Sequence, residues 1–143
     1  MAWPKRRTAG KQLVKNGCTM KEVISTKNAP AAVGPYSQAV KCGNLLFVSG
    51  QIPLDPATGK MPEVTTDQAR QCLANLKNIL EAAGSSLEKV VRVGLFMTDL
   101  ADFKPVNEIY AASFSSNQMA RFAVQVAALP LGAKIEIEAV AEV

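Results

Sequence analysis

The feature that most constrains the fold of this chain is a long amphipathic segment spanning residues 65–83. Its apolar side chains recur at intervals of three and four residues, which places them on one face of an α-helix. These positions are Ala69, Cys72, Leu73, Leu76, Ile79, Leu80 and Ala83. Thr65 and Gln68 have the spacing of a capping box, and Gly84 is placed to end the helix. Such a helix has to pack its apolar face against another element.

Short apolar and β-branched runs on both sides of this helix predict that the other element is a sheet. Three runs precede the helix, at residues 22–26, 37–42 and 45–51, and Gly43-Asn44 between the last two is a hairpin signal. Three more strands are predicted at residues 90–98, 121–127 and 134–142.

A second helix is predicted near residues 103–114, with Asp102 placed at its N-cap. Its inward positions are Val106, Ile109, Tyr110 and Phe114. The order β-β-β-α-β-α-β-β predicts an α+β fold, with one sheet of about six strands and both helices on one face. The other face of such a sheet is left uncovered, and we expect self-association to bury it.

The net charge of +4 is unevenly distributed along the chain. Residues 1–19 contain five basic side chains and no acidic one, whereas residues 20–143 contain 11 basic and 12 acidic side chains. We therefore predict a flexible basic N-terminal extension at residues 1–19 and a single domain at residues 20–143. A targeting segment for a mitochondrion or another organelle and a nucleic-acid-binding arm are alternatives for the extension. The nearly neutral body disfavours a nucleic-acid partner, and no apolar run is long enough for a membrane span.

The complete absence of histidine limits the chemistry that the chain can perform. It excludes Ser–His–Asp and Cys–His nucleophile systems and histidine metal sites. The three cysteines are odd in number and form no C-x-x-C pair, which is typical of a reducing compartment such as the cytoplasm. Because phosphate-loop and calcium-loop motifs are also missing from the sequence, we expect neither a cofactor nor a metal.

The last two predicted strands carry the main candidate site. In the first of them, alternate residues share one face: Arg121, Ala123 and Gln125. In the second, Glu136 and Glu138 share a face. If the two strands pair as a hairpin, Arg121 could bind a substrate carboxylate while a glutamate holds a water molecule. The alternative is a cross-strand ion pair on a solvated face.

Three further motifs are candidates for the same cleft. Gly34-Pro35-Tyr36-Ser37 could fix the tyrosine at the lip of a cleft, or it could be a plain turn followed by a core aromatic. Ser49 and Gly50 end an apolar strand, where a ligand could approach the backbone; a bulge or a strand end is the alternative. Asn107, early in the second helix, is a cleft residue or a solvated polar side chain.

The order of these motifs along the chain resembles the RidA/YjgF family of reactive-intermediate deaminases, over nearly all of residues 21–142. The segments that carry the resemblance are Gly34-Pro35-Tyr36-Ser37-Gln38-Ala39, Ser49-Gly50-Gln51-Ile52-Pro53, Leu80-Glu81-Ala82-Ala83-Gly84, Thr98-Asp99-Leu100, Val106-Asn107, Ala120-Arg121, Leu129-Pro130 and Ile135-Glu136-Ile137-Glu138-Ala139. The resemblance implies a chorismate-mutase-like fold and a homotrimer with a cleft at each subunit interface.

The activity that the resemblance implies is hydrolysis of 2-imino acids, or of their enamine tautomers, to 2-keto acids and ammonia. The substrates would be 2-iminobutanoate and 2-iminopropanoate, formed when pyridoxal-phosphate dehydratases act on threonine or serine. By the same resemblance, Arg121 binds the substrate carboxylate and Glu136 positions the attacking water, while Glu138 is its neighbour in the same motif and a further possible site residue. The remaining implied cleft residues are Tyr36, Ser49, Gly50 and Asn107.

The chain departs from the family pattern around Arg121. Met119 replaces a common proline, Phe122 a serine or threonine, and Ala123 a cysteine that some members place in the pocket, and the preceding loop is short. Because Arg121 itself is present, these changes bear on substrate size and rate rather than on carboxylate binding. Two other functions are kept as alternatives. One is an endoribonuclease or translation inhibitor, and the other is a non-catalytic module that binds small ligands or acts like a chaperone.

Overall fold

The computed structural model describes residues 21–143 and shows one mixed sheet with two helices. The strands are β1 (Lys21–Ile24), β2 (Ala39–Cys42), β3 (Leu45–Gln51), β4 (Val90–Met97), β5 (Ala120–Gln125) and β6 (Ile135–Glu142). The helices are α1 (Thr65–Ala82) and α2 (Phe103–Ser113). The α+β class, the six strands and the two helices predicted from the sequence are confirmed. The predicted extension at residues 1–19 lies outside the described residues.

The strands are arranged in the order β1-β2-β3-β6-β4-β5. All neighbouring pairs are antiparallel except β4 and β5, which run parallel and are connected through α2. The last two strands do not pair as the hairpin that the sequence left open, because β4 lies between β5 and β6. The α2 crossover returns the chain parallel to β4 on its outer side, so β5 becomes an edge strand.

The core lies between the helices and one face of the sheet, which we call the covered face. On α1, the predicted apolar stripe is buried, and Leu76, Ile79 and Leu80 are fully shielded from solvent. The matching side chains on the central strands include Val93, Leu95 and Ile137, which are equally buried. Removal of this apolar surface from water is the main stabilisation that holds the helices on the sheet.

The other face, here called the open face, also carries apolar side chains. On the opposite side of each strand from the core residues, Phe47 is 48% exposed, Phe122 37% and Val124 40%. Exposed apolar surface of this kind is typical of association between chains. Across residues 21–143, neither helix combines the length and apolarity that a membrane crossing requires.

Of the two ends of α1, only the C-terminal end has the capping arrangement that the sequence predicts. At the C-terminus, Gly84 adopts a φ of 78° and donates to Glu81 O, and Ser85 N–H donates to Leu80 O at 2.9 Å. These two bonds form a Schellman motif, so the predicted helix end is confirmed. The capping box is wrong, because the Thr65 hydroxyl donates to the Asp102 carboxylate at 2.7 Å instead of capping its own helix.

Candidate active site

Arg121 lies on the edge strand β5, on the same side of the sheet as the helices. Its register partner on β4 is the core residue Val93, so its side chain projects toward α2. There Arg121 Nη1 donates to Asn107 Oδ1 at 2.7 Å. The guanidinium carbon also lies 4.7 Å from the centroid of the Tyr110 ring and 5.5 Å from that of Phe103. One amide oxygen and two aromatic faces therefore hold an exposed cation.

No carboxylate among residues 21–143 is within ion-pair distance of Arg121. Glu138 accepts instead from Arg92 Nη2 at 2.9 Å, across β4 and β6. The alternative of a cross-strand ion pair between Arg121 and a β6 glutamate is therefore wrong. Because its charge has no acidic partner within the described chain, the guanidinium fork is available to an external anion.

Glu136 lies on the open face and is half-buried against Gly50. A β-bulge in β3 between Val48 and Gln51 brings Gly50 close to β6. A Cβ atom at position 50 would collide with Glu136 Oε1 and would lie 2.8 Å from its Cδ, so glycine provides the space that this carboxylate occupies. Desolvation by burial raises the pKa of Glu136 above the ordinary glutamate value. A bulge was one of the alternatives that the sequence left open for Ser49 and Gly50, and the structure has it.

Ser49 connects this glycine to the loop that carries Tyr36. Its hydroxyl donates to Ser37 O at 2.6 Å, and its backbone N–H donates to Gln38 O at 2.9 Å. Tyr36 is 51% exposed, so it is not a core aromatic. The loop from Tyr36 to Gln38 is therefore tied to the bulge beside Glu136.

The other predicted site residues lie near one or the other of these positions. Phe122 projects from the open face, where its ring packs edge-on against Phe96 at a centroid distance of 5.4 Å. Glu138 lies on that same face, in its ion pair with Arg92. Ala123 alternates with Phe122, so it lies on the covered face with Arg121 and packs against the core.

The predicted site residues therefore form two groups that the single chain does not bring together. Arg121, Asn107 and Ala123 lie toward the covered face at the sheet edge. Glu136, with Gly50 and the loop of Tyr36 beyond it, lies toward the open face. Because β5 and β6 are two strands apart, their axes are separated by roughly 10 Å, and the two charged side chains point to opposite sides.

Sequence reasoning missed the aromatic surroundings of Arg121. Phe103 and Tyr110 flank Asn107 on α2, and Met119, two residues before Arg121, accepts a hydrogen bond from the Tyr110 hydroxyl. The spacing of positions 103, 107 and 110 is that of one helical face, which was the available signal. Tyr110 was assigned to the core on the same spacing.

No metal-binding cluster is found in the part of the chain that the structure describes, and the thiol of Cys72 is shielded from solvent. Residues 21–143 contain no group of three or more His, Cys, Asp or Glu side chains that could hold a metal ion. Cys72 is fully buried on α1, and burial raises the pKa of its thiol far above the ordinary value. The thiol therefore stays protonated and acts as a small apolar side chain.

Residues 21–143 thus form a small α+β protein with one sheet face uncovered by the helices and with a candidate anion-binding site at Arg121, which has no acidic partner in this part of the chain. The chain belongs to the RidA/YjgF family, since the family model described as Endoribonuclease L-PSP matches residues 26–143.

Two curated relatives carry deaminase names. Reactive Intermediate Deaminase A, chloroplastic, of Arabidopsis thaliana is 55% identical over 122 residues, which cover 85% of this chain and 65% of the relative. The 2-iminobutanoate/2-iminopropanoate deaminase of Mus musculus is 48% identical over 123 residues, covering 85% of this chain and 91% of the relative. Among solved structures, Escherichia coli TdcF with bound serine matches with a TM-score of 0.83 and 45% identity, over 85% of this chain and 98% of that one.

Proposed function

We propose that this protein hydrolyses 2-imino acids, 2-iminobutanoate and 2-iminopropanoate above all, to 2-keto acids and ammonia without a metal or cofactor. The observation that carries the proposal is the Arg121 guanidinium, which is exposed and has no carboxylate partner within residues 21–143. A planar carboxylate matches its fork. The deaminase names of two relatives agree with this substrate class.

In the proposed reaction, Arg121 binds the substrate carboxylate and thereby orients the adjacent C=N group. Glu136 holds a water molecule and takes one of its protons, and the water oxygen bonds to the carbon of the C=N group, whose nitrogen is protonated. The resulting carbinolamine regains that proton on nitrogen. As its C–N bond breaks, the hydroxyl oxygen forms the C=O double bond and gives its proton to the departing nitrogen, so the products are a 2-keto acid and ammonium. The half-buried position of Glu136 beside Gly50 favours a carboxylate that accepts protons readily, since burial raises its pKa.

The reaction requires Arg121 and Glu136 from different copies of the chain. In a 2-imino acid the reacting carbon is bonded directly to the carboxylate carbon, so the anchor and the water must lie within a few ångströms of each other. One chain holds the two groups on opposite faces of its sheet, roughly 10 Å apart between strand axes. We therefore propose a homotrimer with a cleft at each interface, in which the apolar open face is covered.

The proposal is tested by ammonia release from 2-iminobutanoate generated in situ, measured as the rate above spontaneous hydrolysis. Arg121→Ala should lower kcat/KM on the order of 100-fold, because it removes charge-assisted bonds to the carboxylate. Arg70→Ala is the matched control, since Arg70 is an exposed arginine on α1 paired with Asp67. Wild-type turnover by Arg121→Ala would overturn the role of Arg121 as anchor, and no release by the wild-type protein would overturn the proposed activity.

The description of the family model as an endoribonuclease makes RNA cleavage the second activity to assay. Residues 21–143 contain 11 basic and 12 acidic side chains, which gives little electrostatic attraction for a phosphate backbone. We expect no cleavage of single-stranded RNA by the full chain under conditions in which it releases ammonia.

A further inference from the structure

We propose that Tyr110 is a positioning residue that holds the Arg121 guanidinium over its ring and leaves the guanidinium N–H groups free for the substrate carboxylate. The inference rests on the proposed function, since it concerns the same anion site. The Arg121 Cζ atom is nearer to the Tyr110 ring centroid, at 4.7 Å, than to that of Phe103, at 5.5 Å. Tyr110 is thus the principal aromatic contact of the cation.

An aromatic face suits this task because it uses none of the donors that a carboxylate needs. A guanidinium has five N–H groups, and the carboxylate fork uses two of them. The Asn107 amide oxygen accepts from Nη1. A glutamate in place of the ring would also stabilise the cation, but it would occupy the fork and compete with the substrate. The ring stabilises the same charge through its quadrupole and does not bind the fork.

The Tyr110 ring is itself fixed at both ends. It is 7% exposed and lies 4.7 Å from the Phe114 ring, centroid to centroid. Its hydroxyl donates to Met119 Sδ at 2.6 Å, which ties α2 to the residue two positions before Arg121. Burial raises the pKa of Tyr110, so the hydroxyl remains a protonated donor at neutral pH. The plane on which the guanidinium rests is therefore held by Phe114, which directly follows α2, and by Met119, which directly precedes β5.

The test separates the electronic role of the ring from its size. The dissociation constant of 2-oxobutanoate is measured calorimetrically for wild type, Tyr110→Phe and Tyr110→Leu. We expect Tyr110→Phe to bind within about threefold of wild type and Tyr110→Leu to bind about tenfold more weakly, because only the latter loses the ring. Tyr110→Leu binding as tightly as wild type would overturn the proposal.

A fluorinated series keeps the test decisive if Tyr110→Leu does not fold. Site-specific incorporation of mono-, tri- and pentafluorophenylalanine at position 110 withdraws electron density from the ring and nearly preserves its shape. We expect the dissociation constant to rise stepwise with fluorination while the melting temperature stays near that of Tyr110→Phe. A dissociation constant that does not change along the series would show a purely structural role and would overturn the proposal. Binding of 2-oxobutanoate is measured without turnover, so a wild type that binds it but releases no ammonia contradicts only the proposed function.

Discussion

The two faces of the sheet in this protein differ in whether helices of the same chain cover them. The covered face is completed within the chain, since α1 and α2 bury its aliphatic side chains and α2 supplies the surroundings of Arg121 at the sheet edge. The open face carries Glu136 beside Gly50 and exposed apolar side chains such as Phe47. The covered face therefore has an ordered setting for the proposed anion anchor, whereas the open face has a carboxylate and an apolar surface that no element of residues 21–143 covers.

This difference teaches that the proposed anchor and the proposed catalytic carboxylate are each positioned locally, on surfaces that do not meet within residues 21–143. Each group is positioned by short-range packing, Arg121 by aromatic rings and Glu136 by a bulge. In the proposed trimer, association brings the covered side of one sheet edge to the open side of another copy and so combines the two groups.

The largest effect is expected from a charge placed on the open face. Phe47→Asp should convert an assembly of three times the 15.2 kDa chain mass into single chains and abolish ammonia release, because a desolvated carboxylate opposes burial of this face. Light scattering gives the mass, and Val64→Asp, at an exposed apolar residue just before α1, is the matched control. A monomeric Phe47→Asp with wild-type turnover would show that one chain contains the whole site.

Loss of the Glu136 carboxylate should lower the rate of turnover much more than the affinity for the bound acid. Glu136→Gln should lower kcat on the order of 100-fold or more and leave the dissociation constant of 2-oxobutanoate within about threefold of wild type, since the anchor is on the other face. Glu81→Gln is the control, because Glu81 is an exposed carboxylate on α1 paired with Lys77. Equal losses in binding and turnover would mean that Glu136 contacts the bound acid directly.

A smaller effect is expected from Gly50→Ala. The added methyl group must displace the Glu136 carboxylate, and we expect kcat to fall on the order of tenfold while the melting temperature changes little. Adding Glu136→Asp, with its shorter side chain, should recover part of the loss. Unchanged kcat in Gly50→Ala would show that this close approach has no role in turnover.

The smallest effect concerns stability as a function of pH. Because burial raises the pKa of Glu136, the folded state binds its proton more tightly than the unfolded chain does. The contribution of Glu136 to stability is therefore full at pH values below its unfolded pKa and is lost as pH rises through the folded pKa. In urea unfolding of wild type against Glu136→Gln, the stability of wild type relative to the variant should fall as pH rises. A relative stability that increases with pH would contradict the burial of this carboxylate.

Most of the secondary structure could be predicted because its signals are local. The apolar spacing of α1 and the glycine at position 84 specify a helix and its end, and the structure has α1 at Thr65–Ala82. Alternation within β5 correctly separated Arg121 from Phe122. The capping-box prediction is wrong because the Thr65 hydroxyl donates to the carboxylate of Asp102. Asp102 is distant in sequence, so a local pattern does not indicate this partner.

The candidate site could be predicted as a set of residues but not as an arrangement. Periodicity shows which side chains of one strand share a face, but it does not show which strands are neighbours. The chain order of β5 and β6 is compatible with a hairpin, but the parallel return through α2 places β4 between them. The same limit applies to Tyr110, whose helical spacing fits the core and the guanidinium contact equally well.

The most direct test of the account is complementation between two inactive variants. Arg121→Ala and Glu136→Gln chains are mixed in equal amounts, unfolded together, refolded and assayed for ammonia release. If each site takes Arg121 from one copy and Glu136 from another, random assembly should restore about a quarter of wild-type activity. Refolded mixtures that assemble normally but remain as inactive as the separate variants would contradict a site shared between chains.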